Sequence, residues 1–145
     1  MNTIGPGPAF RSAPGEGQEL PMFGWLKISS AQSGGAFEVF EDVGPAIPPP
    51  HVHHERDECF CIVEGLYTFI LGTEEVTAPA GSVVFVPRGT RHTFRRSEGA
   101  RALLFVIPAG LEGFFRELGE GLMVGQSSAE LRAALAGKYD SEPVK

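Results

Sequence analysis

The chain has 145 residues, 42% hydrophobic and 21% charged, the size and composition of one globular domain and not of a disordered tail. Twelve Lys and Arg against eighteen Asp and Glu leave a net charge of −6, which repels a phosphate backbone and argues against a nucleic-acid partner. No apolar run approaches the roughly 20 residues that span a bilayer, and no basic-then-apolar segment opens the sequence; the chain is expected to be unexported and cytoplasmic, with no membrane partner.

Nineteen glycines and twelve prolines are nearly double the usual share of roughly 12% and cut the chain into short segments, as turns between many strands do. Residues 1–20 carry Pro6, Pro8, Pro14 and four glycines with few large apolar side chains, so a flexible N-terminal arm is expected there. From Phe23 the texture changes. Trp25 to Ile28 and Phe37 to Phe40 are β-rich runs around a Ser33-Gly34-Gly35 turn signal, the pattern of a hairpin. Pro48, Pro49 and Pro50 then form an extended rod that donates no ladder hydrogen bonds and belongs at a sheet edge or strand entrance.

Apolar runs follow at His51–His53, Glu58–Val63, Leu66–Leu71, Val83–Val86, His92–Phe94 and Leu103–Ile107, separated by Gly65, Gly72, Gly81 and a Pro87-Arg88-Gly89 turn. That spacing predicts an antiparallel barrel or sandwich over residues 21–110 with no helix between its later strands. Cys59 and Cys61 are too few for a disulfide framework. They alternate with the inward row of their strand, so they are expected as reduced thiols on the outer face.

Residues 111–145 change period. Leu111, Phe114, Phe115 and Leu118 make the stripe of an amphipathic helix that Gly119 and Gly121 are expected to end, with its face packed outside the barrel or at a subunit interface. Ser127 with Glu130 has capping-box spacing for a second short helix that stops at Gly137.

Three of the four histidines lie at His51, His53 and His54, and the fourth is His92. Strand alternation points His51 and His53 the same way and His54 the other. Glu58 heads a row shared with Phe60 and Ile62. A carboxylate in an apolar row needs compensation, and a divalent cation supplies it. A hydrogen-bonded surface group is the alternative use of these residues. Phe60, Ile62, Phe69, Phe85, Phe94 and Phe105 suit core packing, with pocket lining the alternative. Arg88, Arg91, Arg95 and Arg96 read as solvated turn charges, or as a cluster steering an anionic substrate.

Gly44, six residues, His51-Val52-His53, four residues, Glu58, six residues and Gly65 resemble the first cupin motif, with one extra residue after the leading glycine. Gly81, five residues, Pro87-Arg88-Gly89, two residues and His92 resemble the second. The resemblance runs from Gly35 to Pro108 and departs at Arg96, where the family usually has Asn. It implies an all-β fold, a jelly-roll β-barrel with short C-terminal α-helices, and one divalent transition metal (Fe, Mn, Ni, Cu, Co or Zn) held by His51, His53, Glu58 and His92. The wording from Pro48 to Phe115 is similar to that of small cupins resembling quercetin dioxygenases. This implies a dioxygenase of a small enol or phenolic, flavonol-like substrate, with Glu58 as metal ligand and catalytic proton acceptor. A non-catalytic small-molecule-binding module and a redox-neutral isomerase or decarboxylase are the alternatives. Exposed sheet edges predict a homodimer.

Overall fold

Period-two alternation builds the strand on which the site depends. β5 (Asp57–Glu64) buries Glu58, Phe60 and Ile62 and turns Cys59 and Cys61 to the other face. In the computed structural model, which describes residues 5–145, this strand lies in a six-stranded antiparallel sheet of order β1-β2-β3-β10-β5-β8. Its other members are β1 (Gln18–Leu20), β2 (Gly24–Ile28), β3 (Glu38–Asp42), β8 (Val83–Val86) and β10 (Arg101–Ile107). Facing it is a five-stranded sheet of order β11-β4-β9-β6-β7, made of β4 (His51–Val52), β6 (Leu66–Leu71), β7 (Glu74–Pro79), β9 (His92–Arg96) and β11 (Glu142–Pro143). Two sheets with these crossovers make the cupin-type jelly roll that the motifs implied.

Register aligns the inward side chains in rows. Phe40, Leu104, Phe60 and Val84 stand opposite one another across β3, β10, β5 and β8. They pack against Tyr67 and Phe69 of the second sheet, with Phe60 and Phe69 edge-to-face at 5.0 Å. Each such burial contributes on the order of 1.5–3 kcal/mol. The next row holds Glu58 between Val106 and Val86, which sets a carboxylate among buried valines.

Several expectations need correction. Part of the expected flexible arm is tied down: β1 pairs with β2, Leu20 enters the core, and the buried Lys27 ammonium donates to the carbonyls of Ala13 and Glu16. Backbone polar groups of the arm hold it together with Leu20, the Gly15 N–H donating in turn to Glu41. The Ser33-Gly34 turn contains a one-turn helix, α1 (Ser30–Ser33), capped by Ser29 and Gln32 in reciprocal bonds. β7 went unpredicted because Glu74, Glu75 and Thr77 leave it exposed; as an edge strand paired only with β6 it needs little apolar character.

α2 (Glu112–Met123) runs through Gly119 and Gly121 instead of ending there. These glycines permit close approach: a Cβ at Gly119 would come within 2.1 Å of the Pro21 carbonyl oxygen, and one at Gly121 within 2.7 Å of Leu131. α3 (Ser128–Ala136) has the expected Ser127 cap, whose hydroxyl accepts from Glu130 N. The α2 stripe is buried within the chain, Leu111, Phe114 and Leu118 being at most 2% exposed, and its edge contacts reach Phe23 and Phe40.

Leu111, the N-cap of α2, makes no side-chain cap. Glu38 of β3, the strand beside β10, does this work, accepting from the backbone N–H of Gly110, Leu111 and Glu112. Removing the carboxylate leaves buried donors unpaired. Glu38→Ala should therefore lower unfolding free energy by about 2–3 kcal/mol in urea titration; an effect near zero would contradict this assignment.

Candidate metal centre

Three strands deliver the polar side chains to one point. β4 begins at His51, directly after the proline rod, with His53 two residues on; Glu58 is the second residue of β5; β9 opens with His92. His51 and His92 are cross-strand partners, so antiparallel register alone stacks them, their ring centroids 4.2 Å apart. One ligand atom from each of His51, His53, Glu58 and His92 lies within 4.8 Å of the others, and all four residues are at most 7% exposed. His54 points away, as alternation predicts, and meets Glu142 at 2.7 Å on the surface.

Backbone carbonyls set the imidazole tautomers. His51 Nδ1 lies 2.8 Å from the Pro49 carbonyl, His92 Nδ1 2.8 Å from that of Thr90, and His53 Nδ1 2.6 Å from that of Asp140. A carbonyl can only accept, so each Nδ1 carries the hydrogen and each Nε2 turns a lone pair inward. Glu58 Oε1, itself an acceptor, stands 2.8 Å from His92 Nε2 and 3.3 Å from His53 Nε2. Buried His53 Nε2 has no hydrogen-bond partner. Lone pairs converging on a carboxylate repel unless a proton or a metal cation sits among them.

The electrostatics point the same way. Burial, then the neighbouring His92 and His53, push His51 down to about 3, which leaves a neutral imidazole free to donate its lone pair. Burial would lower His53, yet the Glu58 carboxylate raises it. Burial would raise Glu58, but His53 and His92 hold it well below the usual carboxylate range. Three imidazoles and one ionised carboxylate suit a divalent transition ion, and they can hold one here. The donor set does not select among such metals.

His51, His53 and Glu58 open onto a cavity of about 50 Å³, lined also by Asp42, Phe60, Phe94, Phe115, Arg132 and Ser141. Of the aromatic and aliphatic residues singled out from sequence, Phe60 and Phe94 line it, Ile62 and Phe69 pack in the core, and Phe85 is exposed on the outer face at 58%. Cys59 and Cys61 are free thiols. The arginine cluster is dispersed: Arg88 pairs with Asp57, Arg95 with Glu75, and Arg91 donates to the Lys145 carbonyl. Arg96, at the position of the family's usual Asn, turns inward to Asp42 at 2.8 Å and to the Ala46 carbonyl at 3.2 Å.

Sequence reasoning missed Asp42, Asp140 and Arg132. Asp42 stands two residues after Phe40 on β3, hence on the same inward face, and its Oδ2 accepts from both Tyr67 and Arg96. Burial raises its pKa to about 6 against the pull of Arg96. Asp140 braces the histidine loop, its carboxylate accepting from the backbone of His54 and Glu55 while its carbonyl orients His53. Arg132 stands three residues before Leu135 on the buried side of α3. A charge on an apolar helical stripe was the signal.

A family model described as Cupin domain matches residues 39–108, from β3 to the end of β10. An uncharacterised protein of Streptomyces coelicolor is 38% identical over 56 residues, which cover 38% of this chain and 53% of the relative; the match thus spans about half the length of that curated relative. Among solved structures, a variant of Streptomyces Pac13 with uridine is 25% identical with a TM-score of 0.50, over 58% of this chain and 68% of that one. Pac13 is described as a nucleoside dehydratase. A protein from Planctomyces limnophilus, 17% identical, aligns over 74% of this chain and 93% of its own with a TM-score of 0.56, a likeness of fold.

Two outcomes are expected from this geometry. His53→Ala should abolish stoichiometric metal binding, while Asp140→Ala, which loosens the loop without removing a ligand, should weaken it about tenfold in chelator competition read by elemental analysis. The folded protein holds the Asp42 proton to about pH 6 against an ordinary value of 3.8, so it binds more protons than the unfolded chain between these values. Its stability then falls as pH rises through that window, by up to about 3 kcal/mol. Asp42→Asn should lack this component of the slope when unfolding is followed from pH 4 to 6.5.

Proposed function

This chain belongs to the cupin superfamily, and we propose that it is a metal-dependent enzyme acting on a small enol- or hydroxyl-bearing molecule, with dioxygen as co-substrate. The observation that carries the reading is the set of four buried donors, His51, His53, Glu58 and His92, the first three of which line a cavity walled by Phe60, Phe94, Phe114 and Phe115. When bound, a divalent transition metal supplies Lewis-acid and redox chemistry to an oxygen presented to it. The three imidazoles would hold that ion, since their Nδ1 atoms are taken by carbonyls. Glu58 would serve as ligand and, because it lines the cavity beside the reacting group, take the proton that the substrate hydroxyl gives up. The phenylalanines exclude water from the reacting groups. A free volume of about 50 Å³ accommodates roughly four water-sized groups, which favours a substrate of one ring or less over a three-ring flavonol.

A redox-neutral reaction is the second reading, favoured by the 25% identity to Pac13, a nucleoside dehydratase. Among the described residues no helix is long and apolar enough to cross a membrane, and two free thiols accord with a cytoplasmic setting. A homodimer belongs to the same proposal: Val83 and Phe85 of edge strand β8 are 65% and 58% exposed and Val63 of β5 is 39% exposed, an apolar edge that a second copy would cover. Sedimentation should then give twice the 15.5 kDa chain mass.

Oxygen consumption decides the chemistry. Protein loaded with iron, manganese, nickel or copper should take up oxygen with one-ring enols and phenols. Glu58→Gln should lose turnover by on the order of a hundredfold or more, exceeding any loss of metal. Product formed without oxygen would turn the assignment to the redox-neutral reading. Binding without any altered product would turn it to a non-catalytic binding module.

A further inference from the structure

Arg132 differs from the other buried charges of this protein. It is 5% exposed and lines the same cavity as His51, His53 and Glu58, yet its one hydrogen bond runs from Nε to Ser128 Oγ at 3.2 Å, a turn earlier on its own helix. Among the described residues no carboxylate lies within ion-pair distance of it. Burial alone acts on its ionisation, pushing it down to about 10, still charged at neutral pH. Lys27 and Arg96, buried to a similar degree, have Glu41 and Asp42 as partners. An arginine offers five N–H donors in a planar fork, and burying that fork without an anion is strongly unfavourable unless a ligand supplies one. Ser141, 4% exposed, lines the cavity with it.

We propose that the cavity binds a small carboxylate, with the anion held by the Arg132 fork and the substrate's enol or hydroxyl oxygen directed to the metal centre. The fork matches the two oxygens of a carboxylate, and the cavity volume of about 50 Å³ favours a compact α-substituted acid. The reacting end rests on the metal-dependent reading above; the anion end rests on Arg132 alone. α3 thereby becomes part of the binding site, and the specificity it confers is for charge.

Full-length protein, metal-loaded and metal-free, is titrated calorimetrically with glycolate, lactate, pyruvate and malonate, each against its amide, and with inorganic phosphate. At least one acid should bind wild type on the order of tenfold to a hundredfold more tightly than its amide. Arg132→Met should erase that preference while leaving metal content unchanged, and Arg132→Lys should restore part of it. Because an unpaired buried charge is replaced by an apolar group of similar length, Arg132→Met should melt at or above the wild-type temperature. A lower melting temperature would mark Arg132 as structural and overturn the proposal. So would acids that bind no better than amides, an absence of binding by all four, or a response to phosphate alone. Acid preference that persists without metal while the metal centre proves inactive would sink the metal-dependent reading and leave Arg132 as the anion site.

Discussion

The organising constraint is lone-pair repulsion at one buried point. Nε2 of His51, His53 and His92 and a carboxylate oxygen of Glu58 converge within 4.8 Å, where little water can separate them. Such an arrangement persists only if the surroundings hold each group rigidly and a proton or a cation sits among them. The surroundings do so through the backbone. Pro49, Thr90 and Asp140 each offer a carbonyl to one Nδ1, and the Gly89 N–H donates to the His53 carbonyl, tying the second motif's turn to the first motif's strand. The proline rod contributes because its residues have no N–H to compete: Pro48 accepts from Thr93, Pro49 from His51 and Pro50 from the Val144 N–H.

The C-terminal residues complete the site from two directions. β11 pairs with β4 and brings Asp140 beneath the histidines, while α2 and α3 bring Phe114, Phe115 and Arg132 to the cavity wall. Glu38 links this layer to the barrel by capping α2. The cavity is thus shared between a barrel that supplies metal donors and a helical layer that supplies enclosure and charge. Glu58 and Asp42 show how differently one environment treats two carboxylates. Two histidines hold the first ionised, whereas burial outweighs Arg96 at the second.

Much of this was legible in the chain itself. A side-chain period of two puts His51 with His53 and Glu58 with Phe60, because a strand has no other way to arrange alternate residues. Glycines and prolines mark the strand ends, and the 3.6-residue stripe of α2 stands out because nothing earlier repeats it. Where local chemistry had two uses, the sequence could not choose between them. Gly119 reads equally as a helix stop and as a contact with Pro21. Arg96 reads as a turn charge or as part of an anion-steering cluster, and the fold makes it the partner of Asp42. β7 carries only a short apolar face, Val76 and Ala78, too little to mark a strand.

Sequence alone therefore determined most of the barrel strands and the shared direction of His51 with His53 and of Glu58 with Phe60, consequences of local stereochemistry, while the resemblance of two short-spaced motifs added His92 and the family. Tertiary structure decided what meets across long separations. The Asp140 carbonyl stands 87 positions from the histidine it orients, Glu38 caps a helix more than 70 positions away, and Arg132 arrives in a cavity whose metal-ligating candidates and Asp42 lie far earlier in the chain. No periodicity encodes such pairings, because they depend on how two sheets and a helical layer pack, and packing is set by the whole buried surface at once.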